Sequence, residues 1–418
     1  MEFHVLKRSH AKRNVIIGVI AVLIISAVVL NFTRARYRTA QSMPLINGTV
    51  NYSLADLNAV AVYIQDDTAT DGYAKADTIP TEGYAFNEEA SYCTVDGEED
   101  TSITLSYDMD TQTLNVAPLT TKGTKCYLYF DEELLPATDI IEDLVATNPE
   151  QVVEDEFGNV RYIGANPNNY VYFNCSDYTN PSNSTCELWR IIGVFSEDTH
   201  GLSGQKLIKL IRSESLGNIA WDRANTNDWS TASLRTTLNG AYLNGNGTYA
   251  STGIKNDTTR NMIETVTWKL GGLSATTAGT ADTFYTEERG TTVYSGHATT
   301  WNGKIALMYP SDYGYATSGG STTNREACLA LYNWNSSSFS DCKNNDWLYD
   351  SSTTQWTLTP RSSGSDVVFF VFNTGSVNYG RDIAYSSYGV RPSVYLTSNI
   401  AISEGAGSSS APYTLSVN

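Results

Sequence analysis

The strongest hydrophobic signal in the chain is an uncharged run of 18 residues, Val15 to Phe32. As a helix rising about 1.5 Å per residue it would span about 27 Å, close to the thickness of a bilayer core. Lys7, Arg8, Lys12 and Arg13 precede it, while Arg34, Arg36 and Arg38 follow it. The positive-inside rule narrowly favours residues 1–14 as a cytoplasmic basic segment and residues 15–32 as a single transmembrane helix. The rival is a cleaved signal peptide, with a shorter apolar core and a small-residue cleavage site, which the basic stretch TRARYRTA fits poorly.

Further along, the pattern changes to a period of two. Val60, Val62 and Ile64 alternate with small or polar residues, as do Ile103, Leu105 and Tyr107, then Leu114 and Val116, then Cys126, Leu128 and Phe130. Such alternation predicts strands with one buried face, and Asp108 to Thr111 suits a hairpin turn between two of them. Residues 45–132 therefore read as a small antiparallel β-sandwich serving as a stalk. From Asp131 to Glu156 there are ten acidic residues and no basic one, with Ile140, Ile141, Leu144 and Val145 at helical spacing behind Thr138, a candidate cap. Residues 133–158 read as an acidic linker with a short helix. The run lacks a D-x-D-x-D-G-type calcium loop, which favours a solvated connector over a metal site.

Residues 159–418 hold all eight tryptophans, Trp189 to Trp356, and most of the polar loops. Apolar runs predict strands at 170–174, 188–195, 206–212, 304–310 and 367–372. Helices are predicted over Thr231–Leu243, with Leu234, Leu238 and Leu243 inward, and over Asp257–Leu270, capped by Asp257 and carrying Met262, Ile263 and Val266. Strands and helices mix without regular alternation, so an α+β class is favoured over a doubly wound parallel sheet.

Length and composition suit this division. A chain of 418 residues with 41% hydrophobic side chains accommodates a membrane segment and two soluble domains. Charge is unevenly placed: residues 1–38 carry +6, leaving 20 basic against 44 acidic side chains, or −24, on residues 39–418. Such a surface repels phosphate backbones and argues against a nucleic-acid partner. The six cysteines fall as sequence neighbours, Cys93 with Cys126, Cys175 with Cys186, and Cys328 with Cys342. Proximity makes these the expected disulfides among 15 arithmetically open pairings, and it points to an oxidising, extracellular location. Zinc-type C-x2-C spacing is absent, so no metal or other cofactor is expected.

Catalytic patterns are scarce. G-x-S-x-G, H-E-x-x-H and the phosphate-cradling G-x-x-x-x-G-K-[ST] do not occur. One S-x-x-K match, Ser203 to Lys206, sits at a Gly-rich turn without its companion motifs and reads as chance. His200 and His297 lie in Gly-flanked turns, where an exposed loop histidine is the ordinary reading. A non-enzymatic role is therefore expected.

The most informative stretch is Leu358 to Leu396. Within Arg361–Tyr388, 28 residues, Ser, Tyr, Asn and Gly supply fourteen, the residue types of an adaptable recognition surface. The run VVFFVF offers a buried strand on which loops could be anchored. The same Asn373-Thr374-Gly375 and Asn378-Tyr379-Gly380 triplets are equally what hairpin turns require.

The segments LWRIIGVF, NDWSTASLRTTLNGAYL, LTPRSS and YGVRPSVYL resemble a broad group of bacterial extracellular domains with a C-type-lectin-like fold. They are similar to the formylglycine-generating-enzyme branch, whose chains close on a G-[FV]-R-P-like strand, here Gly389, Val390, Arg391 and Pro392. The resemblance covers roughly residues 159–418 and implies a mixed α+β domain with long loops on a small sheet. That branch's catalytic cysteine pair has no counterpart, because no cysteine follows Cys342, and residues 227–229 read N-D-W rather than the W-N-D of calcium-dependent lectins. A third branch, the variable proteins of diversity-generating retroelements, implies diversified positions just before the closing strand, here Asn373, Asn378, Tyr379, Asp382, Tyr385, Ser386, Ser387 and Tyr388.

Together these readings describe a single-pass cell-membrane protein with its C-terminal domains outside. Its partners would be the membrane and an extracellular protein or glycan, with oligomeric state open. The expected ligand-binding residues are Arg361, Asn373, Asn378, Tyr379, Arg381, Asp382, Tyr385 and Tyr388, with Trp334 and Trp347 as aromatic platforms. A divergent cell-envelope modifying enzyme and a structural subunit of a surface layer or appendage are the alternatives. The first would show a deep pocket with convergent polar groups.

Overall fold

The structure is a computed structural model that describes residues 60–66, 69–81, 83–109, 111–118, 123–274, 279–334, 340–378 and 384–417. The expected membrane helix, residues 15–32, lies outside them. No helix among the described residues is long and apolar enough to cross a membrane. The chain divides between Glu133 and Leu134 into two compact units. The architecture is mixed α+β and mostly sheet.

The first unit holds β1 (Val60–Gln65), β2 (Tyr73–Ala76), β3 (Tyr84–Val95), β4 (Glu98–Glu99), β5 (Thr104–Asp108), β6 (Thr113–Ala117) and β7 (Thr124–Glu132). Five strands pair in the order β2-β1-β7-β3-β4, and β5 with β6 forms the expected hairpin. Period two explains the layering. On β7, Cys126, Leu128 and Phe130 are buried with Val62 and Leu105, while the alternating Tyr127 and Tyr129 face the other way and stack on Tyr92 and Tyr63 at 4.8 and 4.9 Å. The all-antiparallel expectation needs correction: β1 runs parallel to β7, matching Val62 with Leu128. The first strand has been inserted between β2 and the last strand, an arrangement alternation alone cannot reveal, since it sets the buried face and not the partner.

The second unit opens with α1 (Ala137–Thr147). The helix was expected, but not as part of a solvated connector: Ala137 and Ile141 are fully buried in this unit's core. Thr138 does not cap it. The cap position is Pro136, with no side-chain bond. The stretch that follows supplies β8 (Val152–Glu154) and β9 (Val160–Tyr162), which join β10 (Tyr170–Phe173), β11 (Glu187–Phe195) and β12 (Leu207–Arg212). With β16 (Ile305–Ala306) and β21 (Ser393–Tyr395) they form a seven-stranded sheet, β16-β21-β12-β11-β9-β8, with β10 paired to β11. A second sheet runs β13-β20-β17-β18-β19, from Asn218–Ala220, Ser387–Gly389, Gln355–Pro360, Val368–Val371 and Val377–Asn378 respectively.

Two element predictions change in a telling way. The helix at 231–243 forms as Ser233–Thr237 continued by a wider π turn over Leu238–Tyr242, with Leu234 and Leu238 buried. The helix expected over Asp257–Leu270 stops at Met262 and is capped by Asn256, whose side chain accepts from the Thr259 amide. Its second half is β14 (Val266–Lys269), paired with β15 (Thr300–Gly303), because Val266, Trp268 and Leu270 alternate. Of the run 304–310 only β16 is strand. Pro310 begins α3 (Pro310–Tyr315), preceded in the chain by α2 (Ala281–Glu288).

β11 crosses the middle of the larger sheet and bulges between Ile191 and Gly193. A Cβ on Gly193 would stand 2.0 Å from the Val160 carbonyl oxygen of the paired β9. Backbone cannot yield as a side chain does, so Gly193→Ala is expected to cost about 3 kcal/mol or more, read as a fall in the urea midpoint. An unchanged midpoint would show that the strands can part there.

The three disulfides join Cys93 to Cys126, Cys175 to Cys186 and Cys328 to Cys342, and no cysteine is free. The first ties directly paired positions of β3 and β7. Full pairing is the usage of proteins from oxidising compartments.

Candidate functional site

Among the described residues, those expected to bind ligand are not gathered into one patch. Tyr379, Arg381 and Asp382 lie outside the described residues. Arg361, at the end of β17, is half-buried, with its Nε donating to Ser363 Oγ at 2.9 Å. Its carbonyl joins those of Gly364 and Val367 in accepting from the Asn227 side chain, which makes this loop a tied turn. Asn373 and Asn378 are exposed at the β19 edge of the smaller sheet. Tyr385 is 60% exposed just before β20, and Tyr388 packs on Trp356 and Phe370 at 4.7 and 5.1 Å. Two strands, β17 and β18, separate these pairs of positions.

The tryptophan platforms need correction. Trp334 is 7% exposed and stacks on Phe284 at 5.6 Å, and Trp347 is 5% exposed with its indole N–H donating to the Tyr162 carbonyl at 2.9 Å. Their size drives them into the core. His200 is likewise no exposed loop histidine. It is fully buried, bonded to the Phe195 carbonyl, and burial lowers its pKa.

A concave site does exist, and it was not anticipated. A cleft of about 490 Å³ opens where β10, β11, β12 and the Val390–Pro392 segment meet the turn 346–350. Three guanidinium groups line it: Arg190, Arg212 and Arg391. Arg212 is neutralised, gripped by Glu187 at 2.9 Å. The other two are not. Arg190 donates to Asn169 Oδ1 at 2.7 Å and to the Pro167 carbonyl at 3.2 Å, and Arg391 donates to the Arg212 carbonyl at 2.8 Å and to Gln355 Oε1 at 3.3 Å. Arg190 donates also to Asn166 Oδ1 at 3.3 Å, so all five acceptors are neutral, and among the described residues no carboxylate pairs with either group.

Electrostatics follow from this geometry. Burial pushes the Arg190 guanidinium down to about 10, with the Arg391 charge adding to the fall. Burial lowers Arg391 to about 10 too, and there Arg212 adds while Asp350 and Glu214 oppose. Both arginines stay protonated at neutral pH, so two desolvated like charges face one cleft. An anion entering it would relieve both penalties. Aromatic walls complete the site. Arg190 lies over the Tyr170 ring at 4.1 Å and the Trp347 ring at 4.6 Å, and Tyr349 donates to the exposed Asn373 carbonyl at 2.8 Å. Ser213 Oγ, also in the lining, is buried without a hydrogen-bond partner. Lys343 lies 5.6 Å from the Tyr349 ring and adds positive charge beside it.

A second charged cluster is sealed off. Arg161 bonds Asp155 at 2.8 Å and Asp312 at 3.1 Å, Lys209 meets Asp312 at 2.5 Å, and Arg289 meets Glu288 at 3.0 Å. None of these residues exceeds 5% exposure except Arg289, whose side chain is 9% exposed. Burial alone would raise the Asp312 carboxyl, but Lys209 and Arg161 overcome it and hold it below the ordinary carboxylate range. Burial pushes Glu288 up to about 7, with Asp312 contributing. No set of three metal-ligating side chains comes together among the described residues.

Cleft residues Arg190 and Arg391 carried a faint sequence signal, being arginines inside otherwise apolar strand runs, LWRIIGVF and GVRPSVYL. Arg391 was singled out only as part of a fold motif, and Trp347 proves to be a wall of the cleft rather than a platform. No family model, curated protein or solved structure matches this chain.

Proposed function

We propose that this chain is a membrane-anchored surface protein, held through residues 15–32, whose second unit is a C-type-lectin-like domain that binds an acidic extracellular ligand. The observation that carries the reading is the Arg190–Arg391 pair: two buried guanidinium groups without a carboxylate, lining one cleft with aromatic walls. Guanidinium forks match carboxylate and sulfate groups bidentately, and partly buried ones lose less to competing water. Glu214 and Asp350 at the lining would accept hydroxyl or amine donors of the same ligand, which suits an acidic glycan carrying both kinds of group. The exposed Asn373, bonded to Tyr349 of the cleft wall, adds contacts only for a ligand longer than one residue. Three disulfides fit a life outside the cell.

The test is an array of acidic and neutral glycans with a peptide panel, probed with residues 45–418. Signal is expected on uronate or sulfate-bearing members, weakening as salt rises, because part of the attraction is screened. Equal signal on neutral and acidic members would remove the arginine pair from the account.

A further inference from the structure

The sealed cluster contains a pair that the cleft reading leaves unused. Lys209 Nζ and Asp312 Oδ2 stand 2.5 Å apart, and neither side chain is exposed. Lys209 projects from the middle of β12, whose first five residues are buried, and Asp312 from the first turn of α3. Four rings surround the amine: Tyr309 at 4.4 Å, Trp268 at 5.4 Å, Tyr395 at 5.5 Å and Phe195 at 5.6 Å. A charged pair in such a box has lost its hydration, and burial pushes the Lys209 ammonium down to about 8 in spite of its partner. A free amine is therefore accessible near neutral pH. The far carboxyl oxygen, Oδ1, is held by Arg161 Nη1 at 3.1 Å. Glu288 is bonded by both the amide and the hydroxyl of Ser311, the residue next to Asp312.

We infer that Lys209 and Asp312 condense into an intramolecular isopeptide bond that staples β12 to α3. A proton passes from Lys209 Nζ to Asp312 Oδ2 across their 2.5 Å contact, the neutral amine adds to Cγ, and a second proton from the nitrogen completes the leaving water. The C–N bond forms, the C–Oδ2 bond breaks, and Oδ2 departs as water. In overall balance an ammonium and a carboxylate become an amide and one water, so no oxidant, reductant or cofactor is required. Arg161 takes up the negative charge that grows on Oδ1 during addition. Condensation is uphill in bulk water, but reactive groups fixed in contact have effective molarities on the order of 10⁵–10⁸ M. The step removes one buried cation and one buried anion. Arg161 and Arg289 then remain opposite Asp155 and Glu288, a balanced set.

The inference stands apart from the ligand reading, and mass spectrometry of the full-length protein tests it. After reduction of the disulfides and proteolysis, the folded wild type is expected to yield a branched peptide that joins the Lys209 segment to the Asp312 segment, lighter by one water than the two together. Lys209→Arg, which keeps the cation, is expected to yield the two segments separately at full mass. Two unlinked segments from folded wild type would overturn the inference, whatever the variant does. So would a loss of water confined to the Asp312 segment alone, which marks a succinimide.

Discussion

Arg161→Met is expected to lower the stability of the second unit by about 3–5 kcal/mol, the cost of removing one partner from a buried ion network. Arg161 is 1% exposed and bonds both Asp155 and Asp312. Methionine fills a similar volume but neutralises neither carboxylate. Asp312 would keep Lys209, while Asp155 would keep only its bonds from Asn159 and Phe157. Calorimetry of the ectodomain should show the second-unit transition fall sharply while the first-unit transition stays in place. The acid limb should move as well. The Asp155 carboxyl is held below its ordinary range in the folded protein, so its contribution is present above the unfolded value near pH 4 and is lost as pH falls through the folded value. Without Arg161 burial dominates and the folded value of Asp155 rises, so the variant should lose stability at a higher pH than the wild type. A small loss, with the acid limb unmoved, would show that Lys209 and backbone donors suffice.

The elements legible in the sequence were those whose pattern is local. The runs at 170–174, 188–195 and 367–372 form strands close to their expected bounds, and Cys175–Cys186 and Cys328–Cys342 close the short loops that proximity implied. Misreadings fall where two periods overlap. Met262, Ile263 and Val266 satisfy a helical face, whereas Val266, Trp268 and Leu270 satisfy a strand, and the pairing with β15 decides for the strand beyond Ile263. The acidic count from Asp131 to Glu156 alone predicts solvation. Ala137 and Ile141 nevertheless give α1 an apolar stripe sufficient to enter the core.

The cleft was illegible for a different reason. Arg190 and Arg391 lie 201 positions apart, and they meet only because β12 pairs with β11 on one side and β21 on the other. Register across three strands is tertiary information. Composition drew attention to Arg361–Tyr388 instead, where much of the Gly, Asn and Ser turns out to serve turn geometry: Gly375 has φ +95°, and Asn227 ties the Arg361–Val367 loop through three carbonyls. Tyrosine there is divided in role, since Tyr385 is exposed while Tyr388 covers Trp356.

Arg391→Met should separate binding from folding. Among the described residues no carboxylate pairs with this arginine, so its removal takes away a desolvated charge and the repulsion it exerts on Arg190. Against that gain stand two lost hydrogen bonds, to the Arg212 carbonyl and to Gln355. With net hydrogen-bond contributions of about 1.5–3 kcal/mol for charged donors, the two sides nearly cancel, and stability should change by less than about 1.5 kcal/mol. Affinity has no such offset. Truncating one partner of a buried, hydrogen-bonded charge pair costs about 2–5 kcal/mol, so the acidic glycan that gives the strongest array signal should bind about 30-fold to several thousand-fold more weakly. Arg212→Met is the contrasting variant, because Glu187 would be left without its guanidinium and the loss should fall on stability. Calorimetric titration alongside urea unfolding reads both quantities on the same samples. Full affinity in a folded Arg391→Met protein would place the ligand elsewhere on the molecule, and equal losses of stability in the two variants would reduce Arg391 to a structural strut.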